Sequence, residues 1–227
     1  MRVPLVLLPG MDGTGRLFAA LVASLPAGVA PRVIAHPADE SLGYAELLER
    51  VRPRCPRRER WFMLGESFSG PLALRLAAER PPGLAGVVLA ASFVASPVRW
   101  APRWLVRPGL FSGVTHRIAG RVLGTRDGGP ALQAAFVAAN ASVAPAVLAR
   151  RAREILGVEL QGLATALAEV PVLALAARRD RVLGRGDVAA IQRLLPHAEV
   201  RWFDAPHLLL QTRASEAAAA IAAFMRV

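Results

Sequence analysis

Short, continuous apolar runs alternate with helix-like segments along most of this chain, and that alternation narrows the available folds more than any other feature. Residues 3–8 (VPLVLL), 32–35 (RVIA), 60–64 (RWFML), 84–91 (LAGVVLAA), 171–176 (PVLALA) and 199–203 (EVRWF) read as strands. Helical periodicity covers residues 16–25, 44–51, 71–80, 187–195 and 212–225. Strands with no apolar–polar alternation are buried on both faces, and strands separated by helices pair in parallel. The expectation is an α/β fold: a mostly parallel sheet of about six strands with helices on both faces. From about residue 96 to 163 the alternation stops, leaving helical stretches and several prolines. The expected organisation is a core of residues 1–95 and 164–227, with residues 96–163 inserted as a helical cap or lid. A chain of 227 residues is long enough for one such core.

One strand-to-helix junction carries chemistry. LGESFSGP, residues 64–71, nearly fits G-x-S-x-G, which places a serine on a sharp turn between a strand and a helix. The fifth position is Ser69, and the glycine comes one residue late, at Gly70. Ser67 follows RWFML and precedes PLALRLAAER, the context such an elbow requires, so it is the candidate nucleophile; the alternative is a helix-capping serine.

A serine hydroxyl needs a base, an acid that orients the base, and donors for the oxyanion. Of the four histidines, only His207, in FDAPHLLLQ, falls after a strand at its carboxyl end and after Ser67. A histidine there can act as base and then as acid. His36, His116 and His197 fall at other places in this order. Asp180, at the end of PVLALAARRD, is the candidate acid; an ion pair with Arg178, Arg179 or Arg181 is its alternative role, and Asp204 is the runner-up acid. The oxyanion donors are expected to be the backbone N–H groups of Phe68 and Met11, the latter in the glycine-rich LPGMDGTG loop. That loop matches neither the Walker pattern nor G-x-G-x-x-G.

Composition excludes several classes. The formal charge is +11 with no lysine, which removes lysine Schiff-base chemistry and a Walker lysine. The arginines are scattered without a zinc-ligand set or an RNA-recognition pattern, so no nucleic-acid partner is expected. They read as a solvated surface or as a docking surface for an acidic acyl carrier protein or an anionic membrane. The single Cys55 makes no internal disulfide and suits a reducing, cytoplasmic location. No secretory signal or spanning segment is read from the sequence. No metal or other cofactor is expected.

With LLPGMDGTG, LGESFSG, ARRDRVL and APHLLLQ in that order, the chain resembles the α/β-hydrolase family over nearly its whole length except the cap. The first two motifs together are similar to a branch that includes plant esterase/acyltransferase proteins acting on lipids. The layout with a cap is also similar to carboxylesterases acting on acyl-carrier-protein esters. The family's usual His-Gly before the oxyanion residue is Pro9-Gly10 here, and the chain starts at the family's third strand, which implies six strands rather than eight. The loop after RVIA is also shorter than the family's glycine-rich loop. The resemblance implies a serine hydrolase for a small ester or thioester, forming an acyl-enzyme on Ser67. Acyl transfer to an alcohol on the same residues, and a non-catalytic ligand receptor, are the alternatives. Trp100, Trp104, Leu105, Leu110, Phe111 and Phe136 either line an acyl site under the cap or simply pack the cap.

Overall fold

A computed structural model describes residues 2–98, 102–111 and 113–227. Six strands form one parallel sheet: β1 (Val3–Leu8), β2 (Val29–Val33), β3 (Trp61–Glu66), β4 (Leu84–Ala90), β5 (Val172–Ala177) and β6 (Glu199–Phe203), in the spatial order β2-β1-β3-β4-β5-β6. The central strands are buried on both faces. Val6, Leu8, Met63, Val87 and Leu89 face one hydrophobic core, while Leu5, Leu7, Phe62, Leu64 and Val88 face the other. This double burial explains why these strands read as continuous apolar runs.

The helices cover both faces. On the first lie α2 (Tyr44–Val51), α3 (Ser69–Ala78) and α8 (Arg185–Leu194), whose Leu47, Leu72 and Ile191 enter that core. On the second lie α1 (Ala19–Ser24) and α10 (Ala214–Met225), through Leu21, Ala217 and Ile221. A short helix, α9 (Leu209–Thr212), follows β6 and precedes α10. Most expected elements fall within a residue or two of their places. The largest shift is β2, which begins at Val29 and contains Pro31. Proline lacks a backbone donor and is tolerated there because β2 is an edge strand, with one side unpaired.

Between β4 and β5 come α4 (Gly113–Leu123), α5 (Gly129–Ala141), α6 (Pro145–Ile155) and α7 (Ala164–Leu167). The neck of this helical stretch is stitched by an antiparallel bridge between Ala95 and Glu159, with Ser96 N–H donating to Val158 O at 2.9 Å and Leu160 N–H to Val94 O at 3.1 Å. Among the described residues no single helix is long and apolar enough to cross a membrane.

Candidate active site

The turn after β3 is sharp. Ser67 has φ of 47°, a left-handed value unusual for a residue with a side chain. Such a conformation persists only where the surroundings enforce it. Here Ser67 N–H donates to Ala90 O at 2.9 Å, and Ser67 O accepts from Gly70 N–H at 3.1 Å and from Ser92 Oγ at 2.8 Å. The late glycine of LGESFSG follows from the same packing. A Cβ on residue 70 would stand 1.8 Å from Ser92 Oγ, so glycine is required there rather than at 69.

Ser69 uses its side chain elsewhere. Its fully buried hydroxyl donates to Pro9 O. With that proton committed, His36 Nε2–H must be the donor in its 2.9 Å contact with Ser69 Oγ. His36 is buried, and burial, reinforced by Arg151 and Arg54, pushes its pKa down to about 3. This second Ser–His pair therefore ties the elbow to the end of β1, with its hydroxyl proton turned away from any base.

Ser67, His207 and Asp180 come together at the carboxyl ends of β3, β6 and β5. Ser67 Oγ lies 2.9 Å from His207 Nε2, and His207 Nδ1 lies 2.7 Å from Asp180 Oδ2. Since a carboxylate only accepts, Nδ1 carries the ring proton and Nε2 is free to accept from the serine. The other Asp180 oxygen accepts from Val182 N–H at 2.7 Å and Leu183 N–H at 2.9 Å. Burial works against the ionised Asp180, but the His207 ring and those two amides outweigh it and hold its pKa below the usual carboxylate value. The ion-pair role belongs to its neighbour: Arg179 binds Asp204 and Asp127. Asp204 is thereby occupied and exposed, away from the ring. Of the remaining histidines, His197 contacts Val170 O at 2.8 Å, and His116 is buried on α4.

The two amides expected to hold an oxyanion sit on pinned peptides. In a trans peptide the N–H points opposite to the C=O. Gly10 O accepts from Gly13 N–H at 3.0 Å, which directs Met11 N–H away from that turn. Ser67 O is held by Gly70 and Ser92, which orients Phe68 N–H in the same way. Phe68 is further fixed by stacking on Tyr44 at 4.8 Å, and its carbonyl accepts from Tyr44 Oη at 2.8 Å.

One residue that the motif reading missed holds the Met11 loop. Arg151, on α6, is almost fully buried; its guanidinium donates to Met11 O and Asp12 O, each at 2.9 Å, and to Pro37 O at 2.6 Å. Burial lowers its pKa to about 10, with Asp12 opposing, so it stays charged at neutral pH. Gly13, with φ of 72°, is required beside it, because a Cβ there would lie 2.4 Å from Arg151 Nη1. Glu66 was also missed. It precedes Ser67, is buried, and accepts from Gln211 Nε2 at 2.8 Å; burial raises its pKa to about 7.

A cavity of about 190 Å³ opens beside Ser67 and His207. Its walls are mostly apolar, including Leu17, Leu123, Phe136, Ile155 and Leu208. Of the expected acyl-site residues that fall among the described ones, only Phe136 lines it. Trp104, Leu105 and Leu110 are exposed, and Phe111 packs against Val143, Val147 and Leu148; Trp100 lies outside the described residues. Leu123 and Ile155, with their side chains turned toward the core, take the lining role instead. Cys55 is buried far from this chemistry in an arginine-rich loop, and burial raises its thiol pKa to about 11.

Six parallel strands in this order, helices on both faces, a serine elbow after the third strand and a histidine loop after the last define the α/β-hydrolase fold, and this chain has it. The same architecture is found in an enol-lactonase from Burkholderia xenovorans LB400, with TM-score 0.85 and 17% identity over 100% of this chain and 92% of that one. An esterase from Exiguobacterium antarcticum superimposes with TM-score 0.82 and 14% identity, covering 99% and 92%. A lipase-esterase related protein from Clostridium acetobutylicum ATCC 824 gives 0.81 and 15%, covering 97% and 93%. No protein-family model matches the sequence, and no curated protein matches it.

Proposed function

We propose that this protein is a serine hydrolase acting on carboxylic esters or thioesters. The observation that carries the reading is the continuous hydrogen-bonded line from Ser67 Oγ through His207 to the buried Asp180. In this reaction His207 Nε2 takes the Ser67 proton as Oγ attacks the substrate carbonyl. The Met11 and Phe68 N–H groups donate to the developing oxyanion, on peptides that need no reorganisation. Asp180 stays ionised and stabilises the imidazolium. His207 then gives its proton to the leaving alcohol or thiol, and water, activated by the same ring, releases the acid from Ser67. The names of the structural neighbours, an enol-lactonase and an esterase among them, support ester-type substrates. A cavity of about 150 Å³ takes a benzene-sized ligand, so the present one suits an acyl group of roughly six to eight heavy atoms.

The test is hydrolysis of a p-nitrophenyl ester ladder, from acetate to palmitate, by wild type and Ser67→Ala. The expected result is an optimum among the short and medium acyl chains and a loss of about three orders of magnitude or more in the variant. An equally active variant would sink the serine mechanism. A wild type inactive on every ester and unlabelled by a fluorophosphonate would point to a ligand receptor.

A further inference from the structure

The outer face of the helical insertion is built the wrong way round for a surface in contact with water alone. On α4, Val114, Ile118 and Val122 recur every fourth residue and so form one stripe, and they are 69%, 55% and 41% exposed. The helix turns His116 and Gly120 inward instead. Just before it, Trp104 is 68% exposed and Leu110 53%. An amphipathic helix normally buries its apolar stripe, and exposed apolar clusters of this kind mark interaction surfaces.

The charge around this stripe has one sign. From residue 80 to 126 the sequence carries no aspartate or glutamate. Arg107, Arg117, Arg121 and Arg126 are exposed, and among the described residues none of them pairs with a carboxylate. Arg117 and Arg121 each precede a stripe residue, so their guanidinium groups flank it. They also line, with Arg126, Pro130, Ala134 and Val137, a cleft of about 640 Å³ between α4 and α5, again arginine beside apolar surface. A short surface helix with an outward apolar stripe, flanking arginines and a neighbouring exposed tryptophan has the composition that lies in a lipid–water interface. Arginine can keep its charged end at the headgroups while its stem covers apolar surface.

The stripe also borders the site. Ile118 and Val122 share a second cleft, about 580 Å³, with Arg179, Asp180 and Pro206. The next residues along the chain, Leu123 and His207, line the cavity at Ser67.

We propose that the face formed by residues 104–111 and 113–122 docks on an anionic lipid surface, with the apolar stripe entering the interface and the arginines meeting the phosphates. The occupant is a membrane rather than an acidic protein because the exposed groups along α4 and the preceding turn are aliphatic and aromatic, with tryptophan among them, and the arginines flank them. The experiment is flotation of the full-length protein with vesicles of phosphatidylcholine alone and of phosphatidylcholine with roughly one-third phosphatidylglycerol. Wild type is expected to float with the anionic vesicles at least tenfold better than with the neutral ones, and less so as salt rises. Arg117→Gln with Arg121→Gln should weaken this by about 25-fold, from about fivefold per arginine. Trp104→Glu with Val114→Glu should abolish it while melting at the wild-type temperature, since both side chains lie outside the core. Equal flotation with both vesicle types, or anionic binding that survives both double variants, overturns the proposal. So does a wild type that ignores vesicles but binds an acidic acyl carrier protein through the same arginines.

Discussion

Arg151 and Arg121 sit on the same helical insertion and have opposite surroundings. Arg151, on the inner side of α6, is buried and donates to the carbonyls of Met11, Asp12 and Pro37. Arg121, on the outer side of α4, is exposed beside Val122 and lines open clefts. The inner arginine is part of the core's architecture: it fixes a loop whose amide faces the candidate active site. The outer one is free to meet something the chain does not contain. The insertion therefore places arginines in two different settings on its two faces, and residue type does not distinguish them.

Replacing each arginine by alanine would break this contrast if it is wrong. Arg151→Ala leaves the carbonyls of Met11, Asp12 and Pro37 without their donor and opens a void under the Met11 loop, and the expected destabilisation is on the order of 3–5 kcal/mol. In the fraction that remains folded, kcat should fall by about tenfold or more with KM little changed, because the oxyanion amide is misplaced while the acyl cavity survives. A rise in KM at constant kcat would remove the loop-positioning role. Thermal melts and steady-state kinetics on a short ester check both parts.

Glu66 sharpens the comparison from the inner side. Its pKa is raised by burial from 4.5 to about 7, so the folded chain holds that proton more tightly than the unfolded chain does. Stability from this group is fully present below about pH 4.5 and is lost as pH rises to about 7, at a cost on the order of 3 kcal/mol. Glu66→Gln keeps an acceptor for Gln211 and removes the titration. The variant should gain on wild type across that window in denaturant midpoints measured from pH 4.5 to 7.5. Parallel curves would show that Glu66 is ionised and solvated.

The smallest effect belongs to the outer face. Arg121→Ala should change stability by no more than about 0.5 kcal/mol, since it loses no buried partner. A larger loss in thermal melts would mean that α4 packs through this side chain, and the contrast with Arg151 would fail.

The architecture was legible because its signals are local. Apolar runs of strand length between helical periods specify a parallel sheet, and chain order alone separates His207 from His36, His116 and His197. The edge strand was shifted because Pro31 masks a strand wherever one side of it is unpaired. Ser69 read only as a tolerable change in the elbow, although its hydroxyl joins Pro9 and His36, residues far apart in the chain.

Consecutive residues alone specify the class of fold and which serine, histidine and aspartate stand at strand ends. Those follow from backbone periodicity, which is written in consecutive residues. The packing of distant segments sets Arg151 inward while its neighbour Arg150 stays half-buried, paired with Glu154. It also decided that Phe136 faces the cavity while Trp104 faces out. The physical reason is that a helix fixes the angle between side chains but not which of them meets the rest of the molecule. That choice depends on the volume and the unpaired carbonyls that distant segments present, and no window of adjacent residues contains them.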